Sequence, residues 1–239
     1  MVKNSAGGGR GARRLLVAVL ALVVLLLAAD RVGNYVAEQT TASTLQDSQH
    51  LAHEPDVSIG GFPFLTQLAT GKFDQVSVDA TDVPVGGRGV SVTFTRMQVT
   101  LDHVSADRNF KRFHVQHASA IGTISYASLS NSLGVDLSYA GEGRVRAKKK
   151  ITILGQSFTP TITAAPELVD GALSFGKAQV NGLGSLGGQL SQVLDAVFNV
   201  KPLLQKIPFE IDVQKLSMDA AGLRVDLVGS DIDYVTQSS

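Results

Sequence analysis

Gly182, Gly184 and Gly187 have the spacing of a dinucleotide fingerprint, in which glycines let the backbone approach a pyrophosphate at a helix N-terminus. That chemistry needs a parallel βαβ unit. The neighbouring segments read as antiparallel strands, so these glycines are better explained as letting a helix start close against a sheet. His114 and His117 are three apart in an expected strand, which puts them on opposite faces and prevents joint metal binding. His50 and His53 could meet on one helix face near Asp56, but two imidazoles without a clear third ligand do not make a zinc site. Serines are many, yet no Gly-x-Ser-x-Gly elbow and no nucleophile–base pair can be named. The absence of cysteine removes thiolate ligands, thiol nucleophiles, disulfides and a lipid-modified N-terminal cysteine. The sequence therefore points away from an enzyme and calls for no metal and no cofactor.

Binding chemistry is better represented. Arg144, Arg146, Lys148 and Lys150 alternate with Val145, Ala147 and Ile151 in what reads as one strand, Arg144–Leu154. Alternation puts the cations on one face, which could meet anionic headgroups or could guard an edge strand against sheet-to-sheet pairing. Phe62, Phe64, Leu65 and Leu68 are too apolar for a free loop, and Pro63 can start a short helix that Gly71 ends. They could contact a lipid or plug one end of a core. With 21 basic and 21 acidic residues no global field attracts nucleic acid, so none is expected as a partner.

These groups must be positioned by a β-rich framework. Glycine is plentiful at 24 and tryptophan absent, a mixture suited to many strands joined by tight turns. Lys3, Arg10, Arg13 and Arg14 precede an unbroken apolar run, Leu15–Ala29, the pattern of an export segment. Fifteen residues rise only about 22 Å as helix against about 30 Å of hydrocarbon, which fits a signal h-region or a short anchor. Leu27 at the position where cleavage prefers a small residue favours retention. The positive-inside rule then keeps the basic end cytoplasmic and puts the rest outside.

Beyond a polar stalk or connecting helix that Pro55 stops, the period switches to two. Val76, Val78 and Ala80 alternate with polar residues, and Val90, Val92 and Phe94 follow a Gly86–Gly89 turn, giving a hairpin. The apolar phase then slips near Thr95 and Arg96, and slips again between Val213 and Leu216, so bulges are expected at both places. Further strands are expected over Phe113–Ile124, Val135–Tyr139, Leu173–Val180 and Leu223–Val228, the last after an Ala221-Gly222 turn. Short turns make antiparallel pairing the economical arrangement. One amphipathic helix interrupts them, its stripe formed by Leu186, Leu190, Val193, Leu194, Val197 and Phe198, and Pro202 ends it.

The block Gly61-Phe62-Pro63-Phe64-Leu65, continuing to Lys72-Phe73 and an alternating strand, resembles the opening signature of the LmeA family of actinobacterial envelope proteins. The anchor-like start and the late glycine-rich helix agree, so the resemblance covers roughly residues 10–230. It implies an exported phospholipid-binding protein with a tubular lipid-binding (TULIP-like) fold, serving envelope lipids and lipid-linked glycans, and it carries over no catalytic residue.

The expected fold is therefore α+β: a long curved antiparallel sheet with a long amphipathic helix behind an N-terminal anchor. Its expected divisions are 1–14 cytoplasmic, 15–29 anchor, 30–54 stalk, 55–235 lipid-binding domain and 236–239 tail. Candidate lipid contacts are Phe62, Phe64, Leu65, Leu68 and the helix stripe, with Arg144, Arg146, Lys148 and Lys150 for an anionic headgroup. The rival reading is an envelope scaffold that binds a membrane enzyme or polymer and has a filled core. A lipid hydrolase ranks below both.

Overall fold

The computed structural model describes residues 9–87, 90–153, 156–169, 172–181 and 212–235. Helix α1 (Gly9–Gln49) runs unbroken through the apolar segment and the expected stalk. It has the length and apolar character to cross a membrane. Strand β1 (Asp56–Gly60) then returns alongside it, and the short helix α2 (Phe64–Thr70) follows. Pro63 sits extended at the N-cap of α2, and Gly71 at φ 66° closes it, giving the Pro-start, Gly-stop helix expected from the sequence.

Strands β2 (Lys72–Gly87), β3 (Val90–Ala106) and β4 (Arg112–Ile124) form a long meander. Helix α3 (Tyr126–Leu133) comes next, capped by Ser125, whose Oγ accepts the Ser128 N–H at 3.2 Å. Strands β5 (Asp136–Gly141), β6 (Arg144–Lys148), β7 (Ile151–Ile153), β8 (Gln156–Phe158), β9 (Thr161–Val169) and β10 (Ala172–Asn181) follow. Strands β11 (Asp212–Met218) and β12 (Leu223–Val235) complete the described chain. The six-stranded sheet has the order β1-β2-β3-β4-β12-β11, a four-stranded sheet the order β10-β9-β6-β5, and β7-β8 form a small hairpin. Every pairing is antiparallel, and the molecule is of the expected α+β class.

Both expected bulges are present, as register shifts between Phe94 and Arg96 and between Val213 and Lys215. Each returns the apolar residues to one face after an odd step. A further irregularity, which leaves the register unchanged, had no sequence signal strong enough to name: His103 and Asp231 adopt left-handed backbone, with φ 54° at each. The ladders skip one position at this level in each of three neighbouring pairings, so the irregularity crosses β2, β3, β4 and β12.

The packed core lies where the second sheet and α3 meet one end of the first. Val92, Phe94, Ile124, Leu129, Val135, Leu137, Val145, Ala147, Ile162, Met218, Leu223 and Val225 are all buried there in one cluster. Tyr126 ties α3 to the β11–β12 turn by donating to the Asp219 carbonyl at 2.7 Å. Burial, with the Asp219 carboxylate nearby, pushes its hydroxyl up to about 12. In β4, Gly122 lets the Phe94 ring lie against the strand: a Cβ at that position would come within 2.3 Å of the ring. Gly122→Ala is expected to cost about 1–3 kcal/mol, the range for overpacking a filled core, read as a lower urea midpoint at unchanged slope.

Two sequence expectations are corrected by the fold. The strand read as Arg144–Leu154 is two strands, because the β6–β9 ladder ends at Lys148 opposite Thr161 and the next partner is Pro160, which has no N–H to offer. The edge-guarding reading of the basic residues also fails, since β6 lies between β5 and β9. The expected helix Leu186–Phe198, and with it the glycine run 182–187, lies outside the described residues.

An apolar sheet face as the candidate lipid site

The alternation in the long strands becomes a surface once the registers align it. Val57 pairs with Val78, Val78 with Val99, Val99 with Ala120, Ala120 with Leu227 and Leu227 with Val213. One apolar residue from each of the six strands thus stands in a single row across the sheet. The next row is Ile59, Val76, Leu101, Ala118 and Gly229. On the other side of the first lie Ala80, Met97, Gly122, Val225 and Leu216, which lead into the packed core.

Burial changes along this face. Phe94, Ile124, Leu223 and Val225 are buried under α3 and the second sheet. Val78, Val99, Ala120, Leu227, Val76, Leu101 and Ala118 are only half-buried. The same face is therefore filled at one end and partly open over the remaining rows. It bears no charge in those rows; the charged partners sit on the opposite face, where Arg96 bonds Asp79 and holds its carboxyl below the ordinary carboxylate range. A face of this kind binds by apolar burial, at about 0.8 kcal/mol per CH₂, and needs no reactive group.

The profile of the LmeA-like phospholipid-binding family matches residues 28–228, most of the chain and all of this sheet except the end of β12. The chain belongs to that family. No curated protein and no solved structure matches it. Membership makes phospholipid the ligand class of this LmeA-like chain, and the half-open apolar rows are the surface suited to acyl chains. By contrast, the cleft between α1 and β1, about 420 Å³, is lined by Glu38, Gln39, Glu54 and Asp56 beside Tyr35, a setting too polar for acyl chains.

The residues named from sequence are not brought together. Phe64 is 1% exposed and packs between α2 and α1, so it is core. Phe62, Leu65 and Leu68 are exposed on the loop and helix around it. Arg146 and Lys148 are exposed on the outer face of β6, Arg144 is half-buried and reaches Glu142 at 3.2 Å, and Lys150 lies between β6 and β7, off the strand face. Val145 and Ala147, on the other face of β6, are fully buried. His50 and His53 follow the end of α1 rather than sharing a turn, and His53 pairs with Asp82 at 3.6 Å.

Sequence reading missed the fastening of α1. Asp30, 3% exposed, accepts the Leu65 N–H at 2.8 Å, and Glu38 accepts the Ile59 N–H at 2.8 Å. Glu38 thereby satisfies a donor on the outer edge of β1, which would otherwise be open to pairing. The available signal was Asp30 itself, an acid set directly after an apolar run.

Proposed function

We propose that this LmeA-like protein is an exported, membrane-anchored phospholipid carrier or cradle that supports cell-envelope lipid or lipoglycan assembly without catalysis. Residues 15–29 hold it in the cytoplasmic membrane with residues 1–14 inside and the domain outside. Helix α1 continues beyond this run at both ends, from Gly9 to Gln49, and a span shorter than the hydrocarbon is accommodated by local thinning of the bilayer. The acyl chains lie on the open rows of the six-stranded sheet, and Leu186, Leu190, Val193, Leu194, Val197 and Phe198 remain candidate lipid contacts from the sequence. The observation that carries this reading is the uncharged row from Val78 to Val213, half-buried in a chain whose family binds phospholipid.

Native mass spectrometry with lipid extraction on the full chain tests it. Stoichiometric co-purifying phospholipid supports the cradle. Protein that is empty and also refuses added phospholipid would move the reading to an envelope scaffold that binds a membrane enzyme or cell-wall polymer. Measured turnover of a lipid ester would revive a hydrolase.

An anionic headgroup is the part of the reading that rests on Arg144, Arg146, Lys148 and Lys150. The expected result for Arg146→Glu with Lys148→Glu is a fall of about tenfold in the ratio of anionic to zwitterionic co-purifying lipid, two reversed charges contributing about 1 kcal/mol or more in all. An unchanged ratio would remove these residues from the headgroup site.

A further inference from the structure

Phe62, Leu65 and Leu68 are 59%, 40% and 42% exposed, a cluster that the domain does not cover. Its position is set by α1. Strand β1 runs antiparallel to that helix, with Glu38 bonded to Ile59 and Asp30 bonded to Leu65. Phe62 and α2 are thereby held at the level where the apolar run ends at Ala29, and the Arg31 guanidinium lies 5.1 Å from the Phe62 ring centre. Gly33 permits the close approach: a Cβ there would meet Leu65 Cδ2 at 3.3 Å.

The same end of the sheet carries a second apolar tip. The Gly71 carbonyl accepts the Ala106 N–H at 2.7 Å, which sets the β3–β4 turn beyond the end of α2. Asp107 fixes that turn by accepting the Lys111 N–H at 2.8 Å and the Arg112 N–H at 3.3 Å. These bonds, the first above all, hold its carboxyl below the ordinary range. The turn presents Phe110, 40% exposed with φ 53°, beside the exposed Arg108. Of the acids at this end, Asp102 accepts from Gln75 Nε2 at 2.9 Å and Asp233 lies 2.9 Å from His114 Nδ1.

We infer that this end, through Phe62, Leu65, Leu68 and Phe110, rests in the headgroup layer of the phospholipid bilayer that residues 15–29 cross. The occupant is the bilayer rather than a protein because α1 fixes both to one level: the helix that leaves the hydrocarbon at Ala29 is bonded to α2 one residue later. Aromatic residues with neighbouring cations are the side chains that suit this layer. The inference rests on insertion of α1 and is independent of whether the sheet face holds a lipid. Its consequence is an upright domain, with the open rows beginning next to the leaflet and the basic face of β6 at the remote end with the packed core.

The chain contains no tryptophan, so a single introduced indole reports its own surroundings. Phe62→Trp and Phe110→Trp are compared with Val85→Trp, 46% exposed and roughly 40 Å along β2 from Phe73. Each full-length variant is placed in phosphatidylcholine–phosphatidylglycerol vesicles with and without acyl-chain bromine. Emission at positions 62 and 110 is expected to fall about twofold or more in brominated vesicles, as for groups 5–10 Å into the interface, with position 85 unchanged. Equal quenching at all three positions, or at none, overturns the inference. Quenching at 62 and 110 in a protein that extracts without bound phospholipid would keep this contact and discard the cradle.

Discussion

Ala120→Asp is expected to strip bound phospholipid from the protein, by tenfold or more per mole, while Ser119→Asp leaves it unchanged. The two positions are neighbours in β4 and point to opposite faces: Ala120 stands in the half-buried row between Val99 and Leu227, and Ser119 is exposed. A carboxylate at 120 must either desolvate against acyl chains or hold water where they would lie. Desolvation of an unpaired charge costs several kcal/mol, and every 1.4 kcal/mol is tenfold in affinity. The fold itself should survive, because Ala120 is outside the packed cluster and is only half-buried. Lipid extraction followed by phosphorus assay reads the ratio, and urea unfolding confirms that both variants remain folded. Ala120→Val, which keeps the row apolar, should retain its lipid. If Ala120→Asp still carries a full complement, the acyl chains lie elsewhere and the row is only packing.

What was legible in the sequence follows from which signals are local. Alternation in β2 and β3, the two phase slips at Phe94 to Arg96 and Val213 to Lys215, and the Pro63-to-Gly71 helix are each written within a few residues, and each is present. Strand β6 shows the limit. Its alternation correctly put Arg144, Arg146 and Lys148 opposite Val145 and Ala147, but its end is dictated by Pro160 on a partner strand, and its interior place by β5 and β9 on either side. Helix α3 was missed because Tyr126–Leu133 is short and serine-rich, so its only strong marks are the Ser125 cap and Gly134. The candidate site was legible only as a face. That Val57, Val78, Val99, Ala120, Leu227 and Val213 form one row depends on five registers holding together, one of which, β4 against β12, joins segments far apart in the chain.

The two phenylalanines of the family block should separate by stability. Phe64 is 1% exposed and lies against Gly33 of α1, where a Cβ would meet the ring at 3.7 Å. Truncating it removes a fully buried ring from the joint between anchor helix and domain, and Phe64→Ala is expected to cost about 3–5 kcal/mol. Phe62 is 59% exposed, and Phe62→Ala should change stability by no more than about 0.5 kcal/mol. Urea unfolding of the full chain in detergent measures both. A small loss at position 64 would mean that α2 is not fastened to α1 by packing, leaving the Asp30 to Leu65 and Glu38 to Ile59 hydrogen bonds, each at 2.8 Å, to hold the domain in register with its anchor. The expected large loss has a functional corollary. Since the joint sets the height of the sheet above the leaflet, Phe64→Ala protein should keep its apolar rows but lose its fixed approach to the membrane, and quenching of a tryptophan at position 110 should fall with it. Phe62→Ala leaves the joint intact, so it should leave the quenching at position 110 in place. One block of sequence thus serves two ends, Phe64 joining the domain to its helix and Phe62 joining it to the bilayer.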